Sequence, residues 1–303
     1  MRYLALVLAL AGCKSDNSAL EKRVNTLAAD VAELQARPTN DDRGKARQPS
    51  AHGADPGAVP VDHDDHDDLP TVANIKATAK VHAAPHWTYE GEAGPTAWSQ
   101  LDPAFAQCAS GRQQSPIDIV PHAPGADPPV LFVYKPTGGE VVDNGHTLQI
   151  NLAPGSFAMV DDHRYDLVQF HIHTPSEHTI AHEALPMEVH LVHKDKAGKL
   201  AVVGVIFAAG EASTALAPMW KAAPPKVGSA KLKLLFDPNT LLPLDRSAYR
   251  YDGSLTTPPC SEGVEWIVLR RIRTETPARI ASFHKRFGGN ARPIQELGAR
   301  VVE

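Results

Sequence analysis

Short apolar runs rich in Val, Ile, Leu and Phe recur along the second half of the chain and predict β-strands. They cover residues 130–134, 148–152, 165–173, 187–193, 200–207 and 264–270. One stretch has helical spacing instead, because Ile280, Phe283 and Phe287 share a stripe between Thr-Pro at residues 276–277 and Gly288. The pattern therefore predicts a mostly β (α+β) domain with few helices.

Apolar residues near the N-terminus recur at spacings of four and three, which is a heptad pattern. They are Leu20, Val24, Leu27, Val31 and Leu34, with Val at the a positions and Leu at the d positions. The pattern predicts a short helix over residues 13–36, interpreted as a coiled coil that joins two or three copies through residues 20–34. The alternative is a lone amphipathic helix, because the repeat is only about two heptads long.

A still earlier apolar stretch has the features of an export signal. It follows Arg2, is too short to span a bilayer as a mature helix, and ends in Leu10-Ala-Gly-Cys13. This ending resembles a bacterial lipobox, in which the cysteine is acylated and becomes the mature N-terminus. We therefore predict a lipoprotein signal peptide over residues 1–12 and an exported protein anchored to a bacterial membrane through Cys13. The domain that follows would lie in the periplasm or at the cell surface; an ordinary cleaved signal peptide is the alternative.

Composition separates a linker from the domain that follows it. Residues 37–84 are rich in Pro, Gly, Asp, Ala and His without sustained periodicity, which predicts a flexible linker. Its Asp- and His-rich run over residues 62–68 is interpreted as a solvated acidic segment, with weak metal binding as the alternative. Residues 85–303 have the size of one large domain, and a hydrophobic content of 43% over the whole chain supports a real core. The net charge of -5 argues against a nucleic-acid partner.

Histidines on two of the predicted strands are arranged as metal ligands. Because side chains alternate along a strand, His171 and His173 project to one face together with Gln169. On the next strand His190 shares a face with Glu188, so His190 is the natural third ligand. Three neutral imidazoles leave one tetrahedral position of Zn²⁺ open to water, as catalytic zinc sites do. Gln169 and Glu188 are placed to accept hydrogen bonds from the ligating rings.

Other histidines do not fit this pattern. His193 lies on the opposite strand face from His190 and is predicted to be a buried, hydrogen-bonded core residue. His178 is expected to have a structural role. The remaining histidines without partners at ligand spacing are predicted to lie at the surface: His52, His82, His122, His163, His182 and His284.

Further motifs follow the same order along the chain as in a known family. From about residue 86 the chain contains His86-Trp87-Thr-Tyr89, Gln114-Ser-Pro-Ile117, Asn144-Gly-His146, the two histidine strands, Ser254-Leu-Thr-Thr-Pro-Pro259, Trp266 and Asn290-Ala-Arg292-Pro293. This part of the chain resembles the alpha-class carbonic anhydrases, especially the bacterial exported members. The resemblance implies a large twisted, mainly antiparallel central sheet with short peripheral helices and a zinc ion at the base of a conical cleft.

The resemblance also implies an activity, the reversible hydration of carbon dioxide to bicarbonate and a proton by zinc-bound hydroxide. It implies that Thr256 accepts a hydrogen bond from that hydroxide and donates one to Glu177, and that His146 is the proton shuttle. An imidazole suits that role because its ordinary pKa of about 6.5 lets it exchange protons near neutrality. Tyr89 and Asn144 match positions that order the connecting water chain.

Substrate and disulfide positions are likewise implied by the resemblance. The residues expected at the substrate site are Val192, Val202, Leu255, Thr257, Val264 and Trp266. The resemblance places a disulfide between Cys108 and Cys260, which agrees with export, and two free thiols are the alternative. Two rival functions remain: a catalytically silent relative that uses the sheet for binding, and an exported zinc store.

Overall fold

The computed structural model describes residues 86–123 and 130–303. The predicted signal peptide, acylated Cys13, heptad helix and linker all lie outside the described residues. The described part is built mainly from strands, as the apolar runs predicted. The strands are β1 (Asp118–Ile119), β2 (Leu131–Val133), β3 (Gly139–Asp143), β4 (Leu148–Leu152), β5 (Phe157–Val160), β6 (His163–His173), β7 (Thr179–Ile180), β8 (Glu183–Ala184), β9 (Met187–Lys194), β10 (Leu200–Ala209), β11 (Gly228–Lys231), β12 (Ala248–Ser254), β13 (Glu262–Leu269) and β14 (Arg273–Glu275).

Eleven of these strands form one large sheet. Its main path runs β11-β3-β4-β6-β9-β10-β13-β12, with β14 paired to β10, β5 to β6, and β2 to β5. The β10–β13 and β10–β14 pairs are parallel, and the other described pairs of this sheet are antiparallel. Strands β1, β7 and β8 form a small second sheet. The prediction of a mainly antiparallel central sheet is confirmed.

The described helices are short and lie around the sheet. They are α1 (Trp98–Leu101), α2 (Gln107–Ser110), α3 (Ala217–Ala222) and α4 (Pro277–Phe287), with single 3-10 turns at Gly91–Ala93, Pro103–Phe105 and Pro238–Leu241. Helix α4 is the predicted one: the Thr276 hydroxyl accepts a hydrogen bond from the Arg279 N–H at 3.3 Å. Its apolar stripe packs on the core through buried Phe283. Within the described segments, each helix falls short of the length and apolar character that crossing a bilayer requires.

The two faces of strands β6 and β9 divide the core from the cleft. Phe170, Ile172 and Leu191 point to one face and are fully buried in the main apolar cluster. Burying each such side chain contributes about 1.5–3 kcal/mol, so this face holds both strands firmly in register. The opposite face of the same strands carries His171 and His190, which are paired across the ladder. The apolar face thereby fixes the backbone that presents the histidines.

Candidate metal centre and active site

Three imidazoles converge on the cleft face of the sheet. One ring nitrogen each of His171, His173 and His190 lies within 4.8 Å of the other two. The alternation along β6 aims His171 and His173 the same way, and the antiparallel register sets His190 opposite His171. His173 and His190 are almost completely buried, and His171 is half-buried. The arrangement has the spacing that a single tetrahedral ion requires.

Neighbouring oxygens orient two of the three rings by hydrogen bonds and lie close to the third. His171 Nδ1 donates to Gln169 Oε1 at 2.9 Å, and His173 Nδ1 donates to the Asn290 carbonyl at 2.6 Å. His190 Nε2 lies 3.0 Å from Glu188 Oε1, although not in hydrogen-bond alignment. The hydrogen bonds at Nδ1 leave Nε2 of His171 and of His173 free to bind a metal. Nε2 of His173 and Nε2 of His190 are both buried without a hydrogen-bond partner, which fits rings that serve as metal ligands.

The electrostatics of the three rings differ. Burial lowers the pKa of His171 well below its usual value, and the neighbouring imidazoles add to the effect. Burial also lowers the pKa of His173, against the opposing carboxylate of Glu177. Burial acts to lower the pKa of His190, but the carboxylate of Glu188 outweighs it and raises that pKa. Neutral imidazole is the form that binds a metal, and burial favours it at the two β6 histidines.

Glu188 anchors a buried network behind the three rings. Its Oε2 accepts the backbone N–H groups of Glu177 and His178 at 2.9 Å each, and its Oε1 lies 2.8 Å from His178 Nδ1. His178 Nε2 lies in turn 2.7 Å from the Tyr251 hydroxyl, so the structural role expected for His178 is present. Burial acts to raise the pKa of Glu188, yet His178 and His190 outweigh it and hold that pKa well below its usual value. Glu188 is therefore a buried carboxylate with several donors around it.

Glu177 and Thr256 lie beside the imidazoles without the hydrogen bond that the resemblance implies. Glu177 Oε1 accepts the backbone N–H of Arg292 at 2.9 Å. Glu177 Oε2 is buried and has no hydrogen-bond partner; it faces His190 Nδ1 at 3.7 Å instead of meeting Thr256. Thr256 is buried and lines the same cleft. Glu177 thus keeps one oxygen available to a donor.

A cavity of about 200 Å³ opens onto the three imidazoles. Val192, Val202, Leu255, Thr257 and Trp266 line it, as expected for the substrate site. Val264 does not: it is buried in the apolar cluster that also contains Val202 and Trp266, so it supports the wall from behind. Tyr89 and Asn144 also line the cavity. Neither side chain hydrogen-bonds to a candidate ligand within residues 86–123 and 130–303.

His146 lies in the turn between β3 and β4 and lines the same cavity. Its ring stacks on Trp87, with the ring centroids 4.0 Å apart and the planes 8° from parallel. The Asn144 side-chain oxygen accepts the backbone N–H groups of His146 and Thr147 at 2.9 and 3.0 Å, which closes the turn. Burial lowers the pKa of His146, and the nearby His86 lowers it further.

The disulfide between Cys108 and Cys260 is present. It joins α2 to the loop that carries Thr256, and the two cysteines are 152 residues apart in sequence. The Cys260 N–H donates to the Thr257 carbonyl at 2.9 Å, and the Cys260 carbonyl accepts Gln114 Nε2 at 3.0 Å. The loop that forms one wall of the cleft is thus fastened covalently to the N-terminal part of the domain.

His193 has the buried position predicted for it. Its Nε2 lies 2.7 Å from the Tyr134 hydroxyl, and burial lowers its pKa to about 4. His122, His163, His182 and His284 are exposed, as predicted, whereas His52 and His82 lie outside the described residues.

Sequence reasoning missed one partner of the metal-site histidines. Asn290 accepts from His173 through its backbone carbonyl, while its side chain contacts the backbone of Thr174, Ile172 and His146. The only available signal was its membership of the Asn-Ala-Arg-Pro motif, which names no contact. Every residue type has a backbone carbonyl, so the identity of residue 290 could not have predicted its hydrogen bond with His173.

Fold and site geometry together define a class of protein, a large β-sheet domain with a three-histidine candidate metal centre at the base of an open cleft. A family model described as eukaryotic-type carbonic anhydrase matches residues 93–303. A carbonic anhydrase of Neisseria gonorrhoeae is 41% identical over 219 residues, covering 72% of this chain and 87% of that protein. A carbonic anhydrase of Nostoc sp. is 40% identical over 224 residues, covering 72% of this chain and 85% of that protein.

The solved structures agree with these relatives. The alpha-carbonic anhydrase from Thermovibrio ammonificans, solved in complex with the inhibitor sulfanilamide, is 41% identical with a TM-score of 0.71. The match covers 73% of this chain and 99% of that one. The chain belongs to the carbonic anhydrase family, in its alpha class. It is accordingly a carbonic anhydrase, an enzyme that hydrates carbon dioxide.

Proposed function

We propose that the chain interconverts carbon dioxide and bicarbonate at a zinc ion held by His171, His173 and His190, and that His146 carries the product proton to solvent. The observation that carries the zinc site is the convergence of three imidazole nitrogens within 4.8 Å of one another. The partnerless buried Nε2 of His173 supports it. The rival functions of zinc store and silent relative are not favoured, because all three histidines converge and the relatives at about 40% identity are carbonic anhydrases.

A Zn²⁺ ion held by His171, His173 and His190 would lower the pKa of a bound water to about 7 and so would supply hydroxide at neutral pH. The chain's own contribution begins with the substrate. An apolar wall beside the imidazoles is formed by Val192, Val202, Leu255 and Trp266. Carbon dioxide carries no net charge, so it has no ionic group for the site to bind. Such a wall holds a nonpolar molecule near the attacking oxygen without favouring the anionic product.

Orientation of the attacking oxygen falls to Glu177 and Thr256. The free Oε2 of Glu177 is a buried acceptor that no other described group satisfies. If the Thr256 hydroxyl donated there, its own oxygen would accept a hydrogen bond from the attacking group. Because the Thr256 proton would be donated to Glu177, Thr256 would act only as an acceptor toward the attacking hydroxyl. The proton of that hydroxyl would then point at Thr256, and a lone pair of its oxygen would point at the carbon of carbon dioxide.

Replacing His146 with alanine should slow proton release and leave carbon dioxide hydration itself intact. We expect kcat to fall by about tenfold to a hundredfold and kcat/KM to stay within about twofold, because an imidazole relay acts after the chemical step. Stopped-flow hydration assays at several buffer concentrations measure both constants. Added imidazole should restore kcat, and His163→Ala, at an exposed histidine, should change neither constant. Equal losses in kcat and kcat/KM would refute the shuttle role.

We also propose that the enzyme is exported and acylated at Cys13. Several acyl chains anchor a protein stably, whereas one chain binds only marginally. In a bacterial host, Cys13→Ala should therefore move the enzyme from the membrane fraction to the soluble fraction after export, with its specific activity unchanged. Fractionation with immunoblotting measures this, and retention of the variant in the membrane pellet would contradict the anchor. Pairing of copies through residues 20–34 stays a prediction.

A further inference from the structure

The turn that carries His146 is fastened to the rest of the domain at both ends. It begins at Asp143, the last residue of β3, and returns to β4 through Thr147. Gly145 has a φ of +87°, a left-handed conformation that glycine adopts without strain. A turn with this geometry has few alternatives that would keep His146 in the same place.

The Thr147 end is tied to the strand that bears two of the candidate ligands. The Thr147 hydroxyl donates to the Ile172 carbonyl at 2.5 Å and accepts the Ile172 N–H at 3.2 Å. Ile172 lies between His171 and His173 in sequence. This end of the turn is therefore fixed directly to the backbone of the candidate metal site.

The Asp143 end is held by an ion pair with a residue of α4. Asp143 is only 4% exposed, and its Oδ1 accepts the Gly145 N–H at 2.8 Å, inside the turn. Its Oδ2 accepts Arg286 Nε at 3.0 Å and also Arg286 Nη2. Arg286 Nη2 donates in addition to the Pro224 carbonyl, which precedes β11. One guanidinium thus joins α4, the turn and the segment that leads into the neighbouring strand.

We propose that Arg286 is a positioning residue for proton transfer: its pairing with buried Asp143 fixes the turn and so holds the His146 imidazole against Trp87 in the cleft. The inference rests on the shuttle role proposed above for His146. Within the described residues Arg286 contacts Asp143 and the Pro224 carbonyl and none of the three candidate metal ligands, so it acts on the turn.

The physical reason is the buried charge of Asp143. Without Arg286, the carboxylate loses its cationic partner while remaining almost fully buried, which is strongly unfavourable. The turn must then shift outward to hydrate the carboxylate. That shift weakens the contact with the Gly145 N–H and displaces His146 from its stack.

The test compares Arg286→Met with a matched variant on the same helix, Arg279→Met. Arg279 lies 3.3 Å from Glu275, a fully buried carboxylate, so both variants remove one arginine of α4 and leave one buried acid without its cationic partner. In the full-length enzyme we expect Arg286→Met to lower kcat by about fivefold to tenfold with kcat/KM within about twofold, because misplacement of a transfer group costs rate steeply. Imidazole should restore kcat. Arg279→Met should leave both constants near wild type.

Two further variants separate positioning from damage to the fold. Arg286→Lys keeps the charge but not the forked geometry, and should retain kcat within roughly threefold of wild type. Asp143→Asn keeps a side-chain oxygen for the Gly145 N–H and removes the charge, so it replaces Arg286→Met if that variant fails to fold. It should lower kcat in the same selective way.

A second readout does not depend on activity. Because Trp87 stacks on His146, the ring current of the indole shifts the imidazole carbon-bound protons in NMR spectra of histidine-labelled protein, and His146→Ala identifies those signals by their loss. In Arg286→Met these signals should move toward the values of an exposed histidine, and in Arg279→Met they should not move.

The outcomes distinguish the two proposals. If His146→Ala lowers kcat while Arg286→Met matches Arg279→Met in kcat and in the histidine signals, the positioning role is overturned and the shuttle stands. If His146→Ala leaves kcat unchanged, the shuttle assignment fails and the role of Arg286 falls with it. A selective loss of kcat in Arg286→Met, with rescue by imidazole and shifted signals, supports both.

Discussion

Replacing His190 with alanine is expected to abolish carbon dioxide hydration, with a loss of at least about 10³-fold. The change removes one of three converging imidazoles and leaves a gap beside the buried carboxylates of Glu177 and Glu188. Two remaining imidazoles would bind zinc too weakly to hold it at ordinary concentrations, and without the ion no group of the site generates hydroxide at neutral pH. Metal analysis after dialysis should give close to one zinc per wild-type chain and far less for the variant.

The matched control for His190→Ala is His193→Ala on the same strand. His193 is as deeply buried but lies on the opposite face, where it contacts Tyr134. Its loss should lower stability while the folded protein keeps its zinc and its activity. Retention of stoichiometric zinc and near-normal hydration by the His190→Ala enzyme would show that the three-histidine assignment is wrong.

Loss of the Cys108–Cys260 disulfide is expected to lower the free energy of unfolding by about 4–5 kcal/mol, because the bond closes a very long loop. The cysteines are 152 residues apart, so the cross-link removes much of the freedom of the unfolded chain. Denaturant titrations of the oxidised enzyme and of a Cys108→Ser/Cys260→Ser variant measure the difference. Cys13→Ser, which leaves the Cys108–Cys260 bond intact, is the control. A difference below about 1 kcal/mol would mean that the chain-entropy account fails here.

Local periodicity predicted the parts of this protein that depend on neighbours in sequence. Alternation along β6 and β9 was enough to place His171, His173 and His190 on the cleft side and His193 on the opposite face, because each placement depends only on which strand face a residue occupies. The local sequence also predicted helix α4, because its cap, its proline and its apolar stripe lie within a few turns of one another.

Several features that depend on contacts between residues far apart in sequence were not predicted. Strands β3 and β12 were missed because their polar and small residues obscure the apolar signal, although alternate positions are buried. Asn290 orients His173 across 117 residues through a backbone carbonyl, a contact that no spacing encodes. The pairing of Arg286 with Asp143 likewise joins residues 143 apart in sequence. The roles of individual site residues stay predictions that the variants above address.

The pairing of β6 with β9 has a further consequence for how the enzyme is made. All three imidazoles are presented by two adjacent strands whose opposite faces are packed into the main apolar cluster. The backbone ladder and the packed core therefore fix the positions of the three rings without help from any bound ion. On the proposed zinc assignment, folding of the two strands would precede metal binding, and the two events could be studied separately.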